Sequence, residues 1–217
     1  MSEEVKEICY IVGACDAGEM SFSAALPSRI IAADGGLRAL EKQGICADLV
    51  VGDFDSLGHV PGGDNVLIHP VEKDDTDTML AVKLGLERGW DTFVLYGCTG
   101  GRPDHMYANL QTLIYLAQKD ARGYLVGDGW VSCAIRNSAL EFPGGMEGTI
   151  SVFCPDGSAE SVTLEGLYYS LQDGELQSGF PLGVSNHFTG KTARVTVENG
   201  TLLVMWEEPA AHLIQRL

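Results

Sequence analysis

Through the first 127 residues, short apolar runs stop abruptly at a turn-forming residue, and stretches of helical spacing fill the gaps between them. The runs are Glu7–Gly13, Arg29–Asp34, Leu49–Gly52, Asn65–His69, Thr92–Gly97 and Gly123–Gly127. Unbroken apolarity over so few residues fits strands buried on both faces. Leu37–Gln43, Thr76–Arg88 and Asp104–Lys119 carry apolar residues at helical intervals. Gly44 and Gly89 follow the first two as helix-stopping glycines. Strand and helix alternating through short connections predict an α/β domain, a parallel sheet covered by helices.

Beyond about residue 130 the pattern changes. Ser132–Ile135, Thr149–Phe153, Ser161–Leu164, Ala193–Val197 and Leu202–Met205 are short strand-like runs broken by Gly, Asp, Asn and Pro. That spacing predicts an antiparallel β-sandwich. The expected organisation is an N-terminal α/β domain over 1–128 and a C-terminal β-sandwich over 129–217.

The formal charge is −16, from 14 basic and 30 acidic residues. Such a chain repels nucleic acid and anionic membranes, and its field favours a cationic organic ligand. A phosphate-bearing substrate would need a divalent cation to screen the charge. No apolar run is long enough for a transmembrane helix. The acidic start, Met1–Glu7, is the opposite of a secretory peptide, so a cytoplasmic protein is expected. The six cysteines form no C-x-x-C pair and fit small buried hydrophobes in a reducing compartment.

The polar clusters all follow strand ends, and an open α/β sheet binds ligands at the carboxyl ends of its strands. In Gly52-Asp-Phe-Asp-Ser56, Asp53 and Asp55 stand two residues apart and point the same way in an extended turn. They suit Mg²⁺, or they form a surface Asx turn. Asp34-Gly35-Gly36 either lets backbone N–H groups approach an anion or makes a tight turn capped by Asp34. Glu72-Lys-Asp-Asp-Thr-Asp77 has more acids than one helix cap needs. One of these carboxylates is a candidate third metal ligand, with Lys73 and Thr76 candidates for phosphate. Gly97-Cys-Thr-Gly-Gly-Arg-Pro-Asp-His105 is a glycine-rich loop with Gly97, Gly100 and Gly101, and Arg102 reads as a phosphate fork. It lacks the G-K-[ST] of a Walker loop. Gly183-Val-Ser-Asn-His-Phe188 reads as a polar turn: either a plain loop, or a site where Phe188 stacks on a heterocycle while Ser185 and Asn186 hydrogen-bond it.

Ala33–Gly36, Gly52–Ser56, Asp74–Asp77, Gly100–His105 and Ser185-Asn186 together resemble the thiamin pyrophosphokinase family, in order and spacing, over nearly the whole chain. The resemblance implies pyrophosphoryl transfer from ATP to the hydroxyl of thiamin, releasing AMP. It implies that Asp53, Asp55 and Asp77 hold Mg²⁺. It further implies that Arg102, Thr76 and the Gly97–Gly101 loop hold the triphosphate, with Asp34 and Gly35 on the nucleotide side. Asp104 would face thiamin and orient or deprotonate its hydroxyl, and Ser185, Asn186 and Phe188 would form the thiamin pocket. It also implies a homodimer with thiamin bound at the subunit interface. Two rivals are a haloacid dehalogenase-type phosphatase with Asp53 as nucleophile, and a sensor that binds without turnover. Leu57, where that phosphatase class has Thr or Val, weighs against the first.

Overall fold

The computed structural model describes residues 7–18, 20–24, 26, 28–52, 65–68 and 75–217. By internal contacts the chain falls into two compact units. One comprises Met1–Thr112, Gly123–Asp128 and Ala210–Leu217; the other comprises Leu113–Arg122 and Gly129–Pro209.

The first unit is built on β1 (Ile8–Val12), β2 (Ser28–Ala33), β3 (Leu49–Gly52), β4 (Val66–Ile68), β5 (Thr92–Tyr96) and β6 (Arg122–Gly127). They lie in the order β6-β5-β1-β2-β3-β4. The pairs β1–β2, β1–β5, β2–β3 and β3–β4 are parallel, as the alternating pattern predicts. Every residue of β1 is buried, which explains its unbroken apolarity. Three helices follow strands: α1 (Gly36–Lys42), α2 (Asp77–Glu87) and α3 (Pro103–Gln118). Pro103 takes the first helical position of α3, where its missing N–H costs nothing. Strand order reverses at β1, which has β2 on one side and β5 on the other. The loops after β1 and β5 therefore diverge and open a crevice between them.

The second unit holds β7 (Trp130–Arg136), β8 (Ala139–Phe142), β9 (Thr149–Phe153), β10 (Ser158–Glu165), β11 (Leu171–Gln177), β12 (Gly183–His187), β13 (Ala193–Thr196) and β14 (Thr201–Glu207). They run antiparallel in two layers, β12-β9-β14-β7 and β11-β10-β13-β8. This is the expected sandwich. Its core joins both layers: the Phe142 ring of β8 meets Trp206 of β14 edge-on at 5.2 Å. The Trp206 indole N–H donates to the Glu208 carboxylate at 2.7 Å, so its polar edge is satisfied inside the core. The last helix, α4 (Ala210–Arg216), returns to the first unit with Leu213 and Ile214 buried.

Gly183–His187, expected to be a turn, is instead the edge strand β12. Its pairing register with β9 shifts between Gly183 and Asn186, and Ser185 sits there at φ 58°. This bulge breaks the simple alternation that a strand shows in sequence.

Candidate functional site

Two glycine-rich turns are laced together at the crevice. The Gly13 N–H donates to the Tyr96 carbonyl at 2.8 Å, and the Cys15 N–H to the Gly97 carbonyl at 2.9 Å. Gly97 has φ 61°, and a Cβ there would stand 2.6 Å from the Gly13 carbonyl oxygen. No larger residue fits that backbone approach. Gly100 and Gly101 also have positive φ, at 73° and 61°. Successive turns of this kind leave N–H groups facing outward in a concavity suited to anions.

A cavity of about 230 Å³ lies against these turns. Asp34, Thr76, Asp77, Gly97 and Gly100, from three motifs far apart in sequence, all line it. Asp34 follows β2 at φ 47°, and its N–H donates to the Val51 carbonyl at 2.7 Å. It does not cap α1: Gly35 occupies the cap position, with no side-chain capping bond. Gly35 lines an adjoining cavity beside Arg38 and Lys42. Gly36 lets α1 begin against the carbonyl of Val12, which any Cβ would strike.

The acidic cluster before α2 divides its work. The Thr76 hydroxyl accepts from the Met79 N–H at 3.2 Å and caps the helix, keeping its own proton to donate. Asp75 receives two hydrogen bonds of 2.7 Å from the Lys83 ammonium in the second turn of the helix. Asp77 stands in the first helical turn and faces the cavity. Asp53, Asp55 and Lys73 lie outside the described residues. Among the described residues, no three acids, histidines or cysteines converge as a metal site. Asp34, Asp75 and Asp77 bring carboxylates to the cavity wall, beside Cys15, Cys98 and His105.

Arg102 and Asp104 are exposed at the start of α3 and pair with each other. Arg102 Nε donates to Asp104 Oδ1 at 3.1 Å and Nη2 to Oδ2 at 2.6 Å. This fork, aided by the His105 N–H, holds the Asp104 carboxyl down to about 2. Neither residue lines the cavity, although His105 does.

The cavity also takes Gly13, Ala14 and Cys15 after β1, and Cys98 and Asn109, none of which was singled out as a site residue from sequence. The signal for the first group was the glycine ending β1. The next acid is Asp16, three residues on, so it resembles an ordinary strand end. Asn109 is buried and its amide donates to the Cys98 carbonyl at 2.8 Å, fixing the loop. Burial pushes the Cys98 thiol up to about 12, so it stays protonated and is no nucleophile.

In the second unit, a cavity of about 500 Å³ is walled by Leu171, Leu182, Val184, Tyr169, Ser185 and Asn186, among others. Asn186 is 3% exposed. Its Oδ1 accepts from the N–H groups of Tyr169 and His187, both at 2.9 Å, and its Nδ2 donates to the Tyr169 carbonyl at 2.7 Å. The amide thus fastens the Tyr169 segment to β12, while the Tyr169 ring remains exposed. Ser185 is exposed, and its N–H donates to the Ser151 hydroxyl at 3.0 Å.

The Phe188 ring, expected to stack on a heterocycle, is 8% exposed and instead packs edge-on against Phe142 at 5.0 Å. Residues 186 and 188 both point inward, as the period of two along a strand dictates, and this places the ring in the sandwich core.

The chain matches two family models: thiamin pyrophosphokinase, catalytic domain, over residues 25–125, and thiamin pyrophosphokinase, vitamin B1 binding domain, over residues 138–202. A curated relative is the thiamine pyrophosphokinase of Bacillus subtilis (strain 168). It is 26% identical over 189 residues, covering 81% of this chain and 85% of the relative. The crystal structure of thiamine pyrophosphokinase from Bacillus subtilis superposes with a TM-score of 0.81 at 22% identity, covering 94% of this chain and 99% of that one. Yeast thiamin pyrophosphokinase gives a TM-score of 0.73 at 12% identity, covering 99% and 90%. At such identities the two structural likenesses speak for the fold.

Proposed function

Because the chain belongs to the thiamin pyrophosphokinase family, we propose that the cavity at the β1–β5 crevice takes the polyphosphate of magnesium-bound ATP. The enzyme makes thiamin diphosphate from thiamin and ATP, an ATP-dependent diphosphotransferase reaction. The hydroxyl oxygen of thiamin attacks the β-phosphorus and AMP leaves. Such transfers depend on positioning and on neutralising charge more than on covalent help from the protein.

The observation that carries the site assignment is the convergence of Asp34, Thr76, Asp77, Gly97 and Gly100 on one cavity. In this reading Asp53, Asp55 and Asp77 hold Mg²⁺, whose chemistry when bound is to neutralise the phosphate oxygens. The Gly97–Gly101 loop offers N–H groups to phosphate, and Thr76 offers the hydroxyl proton its capping bond leaves available. Arg102 forks a phosphate, and Asp104 faces thiamin and orients its hydroxyl. Ser185 and the Tyr169 segment fastened by Asn186 form a wall of the thiamin pocket, and the chain's acidity suits a cationic thiazolium ring.

A homodimer with thiamin at the subunit seam is part of the same reading. Its support is a group of exposed apolar residues on the second unit: Tyr168, Tyr169, Phe180, Leu182 and Val184. Among the described residues, no helix is long and apolar enough to cross a membrane. A cytoplasmic location fits the six cysteines, none of which forms a disulfide.

The test is incubation with ATP, Mg²⁺ and thiamin, with products separated by chromatography. Thiamin diphosphate and AMP in equal amounts are expected. Inorganic phosphate with a phosphorylated Asp53 would indicate a phosphatase, and binding without turnover would indicate a sensor.

A further inference from the structure

Arg102 and Asp104 are assigned above to different substrates, yet each occupies the other. The guanidinium uses two of its five N–H groups on Asp104, in the planar fork that also matches a phosphate. Both side chains are exposed, 71% and 63%, so burial does not hold the pair shut. The backbone around them is fixed: Pro103 opens α3, and the Arg102 carbonyl accepts from the Met106 N–H at 3.1 Å. Any exchange of partners is therefore a side-chain movement on a rigid turn. A polyphosphate competes for the same fork with several negative charges against one.

We propose that Arg102 and Asp104 couple the two substrates: nucleotide phosphate draws Arg102 away and frees the Asp104 carboxylate for thiamin. This rests on the functional reading above. Arg102 is here a positioning residue for thiamin, acting through Asp104. The coupling is bounded by the strength of an exposed ion pair, roughly two- to fivefold in affinity. By linkage it is reciprocal: thiamin on Asp104 frees Arg102 for the nucleotide to the same extent.

Calorimetric titration of thiamin and of an unreactive ATP analogue with Mg²⁺, each alone and with the other saturating, tests this. Wild-type protein should bind thiamin roughly two- to fivefold more tightly with the analogue present. Arg102→Gln should bind thiamin, with no nucleotide, as tightly as nucleotide-loaded wild type. Asp104→Asn should bind the analogue more tightly than wild type in the absence of thiamin. A purely structural role for either residue would produce only losses. If Arg102→Gln fails to gain thiamin affinity, or Asp104→Asn fails to gain analogue affinity, the exchange is wrong. Binding of both ligands by wild type without coupling overturns this inference alone. Binding of neither overturns the functional reading and this inference with it.

Discussion

Replacing Phe188 by alanine separates a core residue from a ligand platform. The ring is 8% exposed and packs against Phe142, which itself packs against Trp206. Removing it loses the transfer free energy of a buried phenyl, leaves a cavity, and ends one aromatic contact. Phe→Ala changes at such sites cost about 3–5 kcal/mol. For a chain of this length each kcal/mol moves the melting temperature by about 2–4 °C. About 4 kcal/mol therefore corresponds to a fall of about 8–16 °C, and it removes a large share of a typical stability of about 5–15 kcal/mol. Phe188→Leu keeps most of the volume and should cost about 1.5 kcal/mol or less. The assay is thermal melting by circular dichroism, with KM for thiamin and for ATP measured well below both melting temperatures. The expected result is a large fall for alanine, a small one for leucine, and no selective rise in the thiamin KM. An unchanged melting temperature with the thiamin KM alone raised would show that the ring meets the ligand and that the packing argument fails.

Other outcomes follow from the same geometry. Asp77→Asn and Asp55→Asn should each lower kcat by about 100-fold or more by removing a metal charge, with the fold intact; near-normal kcat at saturating Mg²⁺ would take that residue out of the metal site. Asn186→Ala strands two N–H groups and a carbonyl, which should cost about 2–3 kcal/mol and raise the thiamin KM as the Tyr169 segment loosens; unchanged melting would contradict the fastening role. Arg102 holds the Asp104 carboxyl down to about 2, below its ordinary value, so the pair favours the folded state above the ordinary carboxylate range and that contribution fades as pH falls through about 2. Carboxyl-carbon NMR should find this midpoint in wild type and its return toward the ordinary aspartate range in Arg102→Gln. An ordinary midpoint in wild type would mean that the ion pair does not persist in solution.

The first unit was legible because buried parallel strands leave blunt signals. Ile8–Val12, Leu49–Gly52 and Thr92–Tyr96 are apolar throughout or end in glycine, so their limits in sequence and structure differ by a residue or two at most. The second unit hid three of its strands. β11, Leu171–Gln177, carries Asp173-Gly174 in its middle, a dipeptide that normally marks a turn. The structure accommodates it with Asp173 at φ 49° and shifted pairing to β10. β12 was masked by its bulge at Ser185, and with it the inward direction of Phe188. β8, Ala139–Phe142, is short and sits beside the Pro143-Gly-Gly145 turn. At the candidate site, acids and glycines announced themselves by composition. Gly13–Cys15 did not, because their place depends on strand order, which no local pattern records.

The return of α4 to the first unit bears on how the protein is made. Leu213 and Ile214 belong to the core of the unit that holds the cavity at the β1–β5 crevice, yet the ribosome adds them after the whole of Gly129–Pro209. At typical elongation speeds of about 5–20 residues per second, those roughly 80 intervening residues take about 4–16 s to synthesise. Throughout that interval the sandwich can fold as it emerges, while the first unit waits with part of its core missing. Loss of Leu213 and Ile214 would therefore open the core of the unit whose other residues are made first.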